Sequence, residues 1–166
     1  MQPEMVQAKT SKTMNTIVTD RDFTIVKSSQ VHGRGVFAKK TIPKGTRLFE
    51  YAGQRVLKTE LVHDLANGLT SMNYVMNLNK TMAIDGERGG NDARFINHSC
   101  NPNCEVLYFN EIPYIYAMQE IHEGQELNFD YKLGFDKETN LSASQKREWF
   151  PCNCGSENCR GTLVSN

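Results

Sequence analysis

From residue 23 onward, short apolar runs alternate with clusters of Gly, Pro, Asn and Asp. That is the pattern of many short strands. Strands are expected over 23–26, 36–38, 47–51, 74–78, 82–84, 106–109, 114–118 and 127–129. The pair 74–78 and 82–84 predicts a hairpin turning at Asn79 and Lys80, and 106–109 with 114–118 predicts another, turning between Asn110 and Pro113. Helical spacing is rare. Leu61, Val62, Leu65 and Ala66 fall on one face of a helix that Thr59 can cap and Gly68 can end. A single helical turn is expected over 92–96, after Asn91, and a short helix over 142–148. The expected fold is therefore mostly β, with small helices.

A chain of 166 residues fits one packed domain. Lys and Arg number 19 and so do Asp and Glu, so no global basic field steers the chain to nucleic acid. No apolar run reaches the length of a membrane span. Residues 1–22 are polar, lack the apolar stretch of a secretory signal, and read as a flexible lead-in or the cut end of a longer protein.

The five cysteines change the picture more. Without a secretion signal they do not suit a disulfide framework. Cys152, Cys154 and Cys159 stand in a C-x-C-x4-C spacing within a polar, glycine-containing segment. Nothing about packing calls for thiols there, and C-x-C is not the redox C-x-x-C. Thiolates this close can converge on one tetrahedral Zn²⁺. Structural zinc takes four ligands, so the fourth must come from elsewhere, with Cys100, Cys104 and His98 as the candidates.

The most informative stretch is RFINHSCNPNC, residues 94–104. Read alone it is a hydrogen-bonded loop stiffened by Pro102. With HGRGVFA at 32–38, EYAG at 50–53, YVMNLN at 74–79 before AIDG, GQELNFDY at 124–131 and PCNCGSENCRGTL at 151–163, it resembles the SET-domain protein-lysine methyltransferases. The resemblance covers nearly the whole chain, from about residue 23 to 163. It implies a fold of several small sheets with a C-terminal pseudoknot and a zinc-bound post-SET tail. The chain would divide into a SET domain over 23–135, a mobile linker over 136–148 and a post-SET segment over 149–166.

The resemblance also implies roles. S-adenosylmethionine would be the methyl donor. Gly33, Arg34 and Gly35 match the motif whose backbone approaches it, and glycine permits such an approach. Asn97 and His98, flanked by Arg94 and Phe95, match the pair that holds it, and Tyr74 matches a cofactor-contacting tyrosine. Tyr131 matches the catalytic tyrosine and Tyr51 a second tyrosine of the same lysine channel. Phe129 stands at a Phe/Tyr switch, where phenylalanine leaves space for di- or trimethylation. Cys100 matches the fourth zinc ligand, leaving Cys104 as a small buried residue. The zinc would then clamp the tail to the cofactor loop.

The substrate expected is a lysine-bearing protein tail, a histone first, which places the enzyme in the nucleus of a eukaryote. A non-histone substrate and a catalytically silent peptide-binding module are the alternatives. No cysteine-rich segment precedes residue 23, and the insert between Tyr74 and Asn97 is short, so the peptide groove is not defined by the motifs.

Overall fold

A computed structural model describes residues 23–71, 73–134 and 141–165. The lead-in expected over 1–22, residue 135 and residues 136–140 of the expected linker lie outside the described residues.

Among the described residues, ten short strands form four small sheets. Strands β1 (Thr24–Ser28) and β2 (Arg34–Ala38) make an antiparallel hairpin across the glycine motif. Strand β3 (Arg47–Glu50) pairs with β9 (Ile112–Ala117), which pairs with β8 (Cys104–Phe109). Strand β6 (Met82–Asp85) lies between β4 (Gln54–Leu57) and β5 (Val75–Asn77). The smallest sheet joins β7 (Asn97–His98) in parallel to β10 (Asn128–Phe129). Side chains from all four sheets meet in one core, with Val36, Phe49, Ile84, Ile115, Ile121 and Leu127 buried in it, and Val56, Leu61 and Ala83 form a smaller second cluster.

Both expected hairpins form, with one difference. The second turns on Asn110 and Glu111 alone, at φ 50° and 60°, the two-residue turn whose twist suits a hairpin. Pro113 lies inside β9 opposite Tyr108, and its carbonyl accepts the N–H of Tyr51 at 2.8 Å. The ring costs the sheet nothing if the nitrogen it occupies was not needed as a donor.

Strand β4 was not expected. Its sequence, QRVL, buries only Val56 and carries too little apolar pattern to read. It runs straight into helix α1 (Lys58–Ala66), so Leu57 and not Thr59 is the N-cap. Glu60 supplies the local lock by accepting the N–H of Leu57 at 3.4 Å. Of the apolar residues expected on one face, only Leu61 is buried, while Val62 and Leu65 are exposed. A 3-10 turn over Asp92–Phe95 follows Asn91, whose side chain caps it. Helix α2 (Ala143–Trp149) starts at Ser142, with Ser142 and Gln145 exchanging hydrogen bonds in a capping box.

The feature that builds the site is the placement of 124–131. On one side it bonds to β2, through Leu127 N–H to Val36 O and Ala38 N–H to Gln125 O, at 2.8 and 2.9 Å. On the other it bonds to the 97–103 loop. Ser99 N–H donates to Phe129 O, and the backbone N–H groups of Asn103 and Asn128 each donate to the other's side chain, at 3.0 and 2.9 Å. The C-terminal segment is thus held between β2 and an earlier loop, the arrangement that the resemblance implies. The tail returns beside it. Val164 is buried and bridges Leu133 in parallel, and Thr162 bridges Pro151.

Candidate active site

Asn97 and His98 sit side by side on β7, and both are buried. The pairing with β10 delivers them to the glycine motif and to Tyr131 at once. The Asn97 amide nitrogen is within hydrogen-bond distance of three acceptors: Glu126 Oε1 at 2.7 Å, Arg34 O at 3.0 Å and His32 O at 3.3 Å. Glu126 was not singled out from the sequence. Its carboxylate also takes the Ser29 hydroxyl at 2.8 Å, so it joins the turn after β1 to Asn97. The only signal was its place inside GQELNFDY.

The two glycines of the motif are needed for different reasons. Gly33 has φ +48°, a left-handed turn that disfavours side chains. At Gly35 a Cβ would collide with the Glu126 carboxylate. Space for Glu126 therefore requires glycine there.

Aromatic rings form the rest of the wall. Phe129 is buried, with its ring centroid 5.1 Å from that of Tyr131, and His98 meets Tyr131 edge-on at 5.3 Å. Tyr74 packs edge-on against Phe95 at 5.7 Å. Arg34 and Arg94 each place a guanidinium near the Phe95 ring, at 3.8 and 4.7 Å. Such contacts hold long cationic side chains in place at a partly desolvated site.

Tyr131 donates its hydroxyl to Ile96 O at 2.9 Å, and Tyr51 donates to Tyr74 O at 2.9 Å. Both phenols are pushed well above their ordinary range. Burial around each hydroxyl is the main cause, although the Tyr131 residue as a whole is 38% exposed, and next come the other phenols: Tyr131 acts on Tyr51, and Tyr74 with Glu126 acts on Tyr131. Both therefore stay protonated at any physiological pH. The structure brings Tyr51, Tyr74, Phe129 and Tyr131 together beside His98 and its neighbour Asn97.

The cysteines settle into one group. The sulfurs of Cys100, Cys152, Cys154 and Cys159 all lie within 4.8 Å of one another. A tetrahedral zinc with Zn–S near 2.3 Å puts its sulfurs ~3.8 Å apart. Cys100 and Cys152 stand at 3.8 Å. Backbone N–H groups point at the sulfurs, from Arg160 to Cys100 at 3.4 Å, from Gly161 to Cys159 at 3.3 Å and from Cys100 to Cys154 at 3.5 Å. Such donors favour thiolates. Burial pushes the Cys100 and Cys152 thiols up, while at Cys154 the Cys100 N–H and the Ser156 hydroxyl outweigh burial and bring the thiol down to about 6. Geometry and donors together fit zinc. Cys104 lies apart, buried on β8, with its thiol pushed up by burial to about 12.

His98 connects the two halves. Its Nδ1 accepts the N–H of Tyr131 at 3.1 Å, and its Nε2 lies 3.4 Å from Cys100 Sγ. Burial holds the imidazole below its ordinary range, so it is neutral. An accepting Nδ1 leaves the proton on Nε2, which donates to the sulfur. Beside it, Asp130 and Arg160 form a two-pronged ion pair at 2.8 and 2.9 Å, which sequence reading also missed.

Comparison with known proteins agrees with this geometry. Residues 33–132 match the SET domain family model. The chain belongs to the SET-domain family. It is 36% identical over 155 residues to the histone-lysine N-methyltransferase trithorax of Drosophila virilis, covering 87% of this chain and 4% of that protein. It is 35% identical over 151 residues to histone-lysine N-methyltransferase 2B of Homo sapiens, covering 87% and 5%. To histone-lysine N-methyltransferase ash1 of Drosophila melanogaster it is 36% identical over 137 residues, covering 79% and 6%. The chain thus spans about one-twentieth of the length of these relatives.

Replacing Cys100 by Ser is expected to remove bound zinc, and replacing Cys104 by Ser to leave it at one equivalent. Metal analysis of the two purified variants decides it, and equal zinc loss in both would contradict the assignment of Cys100.

Proposed function

We propose that this chain is a protein-lysine N-methyltransferase that acts on a histone tail, in the nucleus, and adds more than one methyl. The observation that carries this reading is the convergence of Tyr131, Phe129, Asn97 and His98 on one point, through the pairing of β7 with β10. The names of the relatives support the substrate class.

S-adenosylmethionine, when bound, supplies a methyl on a sulfonium that passes in line to a neutral lysine amine. The residues here suit a cationic ligand. Arg34 O, His32 O and the Glu126 carboxylate are gathered around the Asn97 amide, which makes one wall rich in acceptors. Gly33, Arg34, Gly35, Arg94, Phe95 and Tyr74 complete that side in this reading.

Tyr131 orients the incoming amine. Its own proton goes to Ile96 O, so its oxygen keeps lone pairs free to accept an N–H. Its raised pKa argues against a phenolate base. The lysine must then lose its proton to solvent before it enters. The apolar faces of Phe129 and of the tyrosines Tyr51 and Tyr131 disfavour an ammonium there by desolvation. Phe129 brings no hydroxyl to hold a water or the amine, and so leaves room for an amine that already carries a methyl. Zinc on Cys100, Cys152, Cys154 and Cys159 would cross-link the tail to the cofactor loop and take no chemical part.

Three outcomes are expected. With labelled cofactor and a panel of histones, nucleosomes and lysate proteins, the chain labels a histone, and Tyr131→Phe lowers the rate roughly a hundredfold through lost positioning. No label in any protein would overturn the reading. Mass spectrometry of a saturating reaction shows di- or trimethyl-lysine, and Phe129→Tyr shifts the product toward monomethyl. A single methyl from the unmodified chain would defeat the Phe129 argument. Chelating the zinc weakens cofactor binding measured by calorimetry, and unchanged affinity after chelation would show that the tail is not a clamp.

A further inference from the structure

We propose that Asp130 and Arg160 act together as positioning residues for Tyr131, through a closed ring of contacts that includes the zinc ligand Cys100. The proposal rests on the methyltransferase reading above. The ring is explicit in the geometry. Arg160 N–H donates to Cys100 Sγ at 3.4 Å. His98 donates from Nε2 to the same sulfur at 3.4 Å. Tyr131 N–H donates to His98 Nδ1 at 3.1 Å. Asp130 precedes Tyr131 in the chain, and its carboxylate closes the circuit by accepting both terminal nitrogens of Arg160 at 2.8 and 2.9 Å.

Each link has a directional reason. A guanidinium opposite a carboxylate is held in a planar fork, which fixes angle as well as distance. The two side chains are only 20% and 25% exposed, so water competes poorly for them. The Asp130 carboxylate also accepts Lys132 N–H at 3.0 Å and holds Lys132 at φ +47°, a left-handed conformation on the far side of Tyr131. Tyr131 is therefore gripped on both flanks by one carboxylate, and that carboxylate is aimed by an arginine of the tail. The tail's position is relayed to the residue that bears the reactive hydroxyl.

A ring predicts a different signature from a simple brace. Breaking any one link opens it, so a second break adds little. Arg160→Lys keeps the charge and loses the fork. It is expected to lower kcat roughly tenfold or more, by displacing Tyr131, with KM for S-adenosylmethionine within about twofold and zinc still at one equivalent. Asp130→Asn is expected to match it, and the double variant to be no worse than either single one. Amide hydrogen exchange at Tyr131 should be faster in each, which reports on the ring independently of turnover. Unchanged kcat and exchange in Arg160→Lys would overturn the proposal, as would multiplying losses in the double variant. Zinc lost together with kcat in both single variants would likewise overturn it, since that is a structural role. If the unmodified chain transfers no methyl while exchange still responds, the methyltransferase reading has failed and the ring has not.

Discussion

The pairing of Asn128 and Phe129 with Asn97 and His98 is the constraint on which the site depends. Two residues on each side make a very short sheet, and backbone pairing alone would not hold it. The side chains of Asn103 and Asn128 supply the rest. Each accepts the other's backbone N–H, and both amides reach Glu126 O, at 2.9 and 3.3 Å. A net hydrogen bond contributes about 1 kcal/mol, but leaving a buried amide unsatisfied costs about 1–3 kcal/mol. Against a total stability of about 5–15 kcal/mol, this small knot of asparagines is a large share. It locks the register, and the register decides where Tyr131 and His98 stand.

Most of this was legible because chemistry and sequence proximity coincide. RFINHSC and GQELNFDY each carry several site residues in a few positions, and C-x-C-x4-C places three thiols within one segment. What escaped reading was whatever depended on a partner far along the chain. Glu126 matters through Ser29 and Asn97, which are 97 and 29 residues away. Arg160 matters through Asp130, 30 residues away. Strand β4 escaped because edge position beside β6, and not its own pattern, makes it a strand. The face assigned to α1 was overstated for a related reason. Helical spacing shows which residues share a face, but not how much of that face finds something to pack against, and only Leu61 does.

The two halves of the site divide their work. The acceptor wall formed by Asn97, Glu126 and the first hairpin is electrostatic, and it depends on the pairing of 124–131 with β2 and β7. The aromatic side formed by Phe129, Tyr51 and Tyr131 is apolar, with its phenols bound to carbonyl oxygens. In the methyltransferase reading proposed above, a cationic donor and a neutral acceptor would need those opposite environments within a few ångströms of each other. His98 lies at the boundary, neutral because buried, with one nitrogen on the Tyr131 backbone and the other on Cys100. A charged imidazole there could not accept the Tyr131 N–H. Burial of His98 is therefore more than a packing result: it keeps Nδ1 an acceptor, and so ties the position of Tyr131 to the cysteine cluster of the tail.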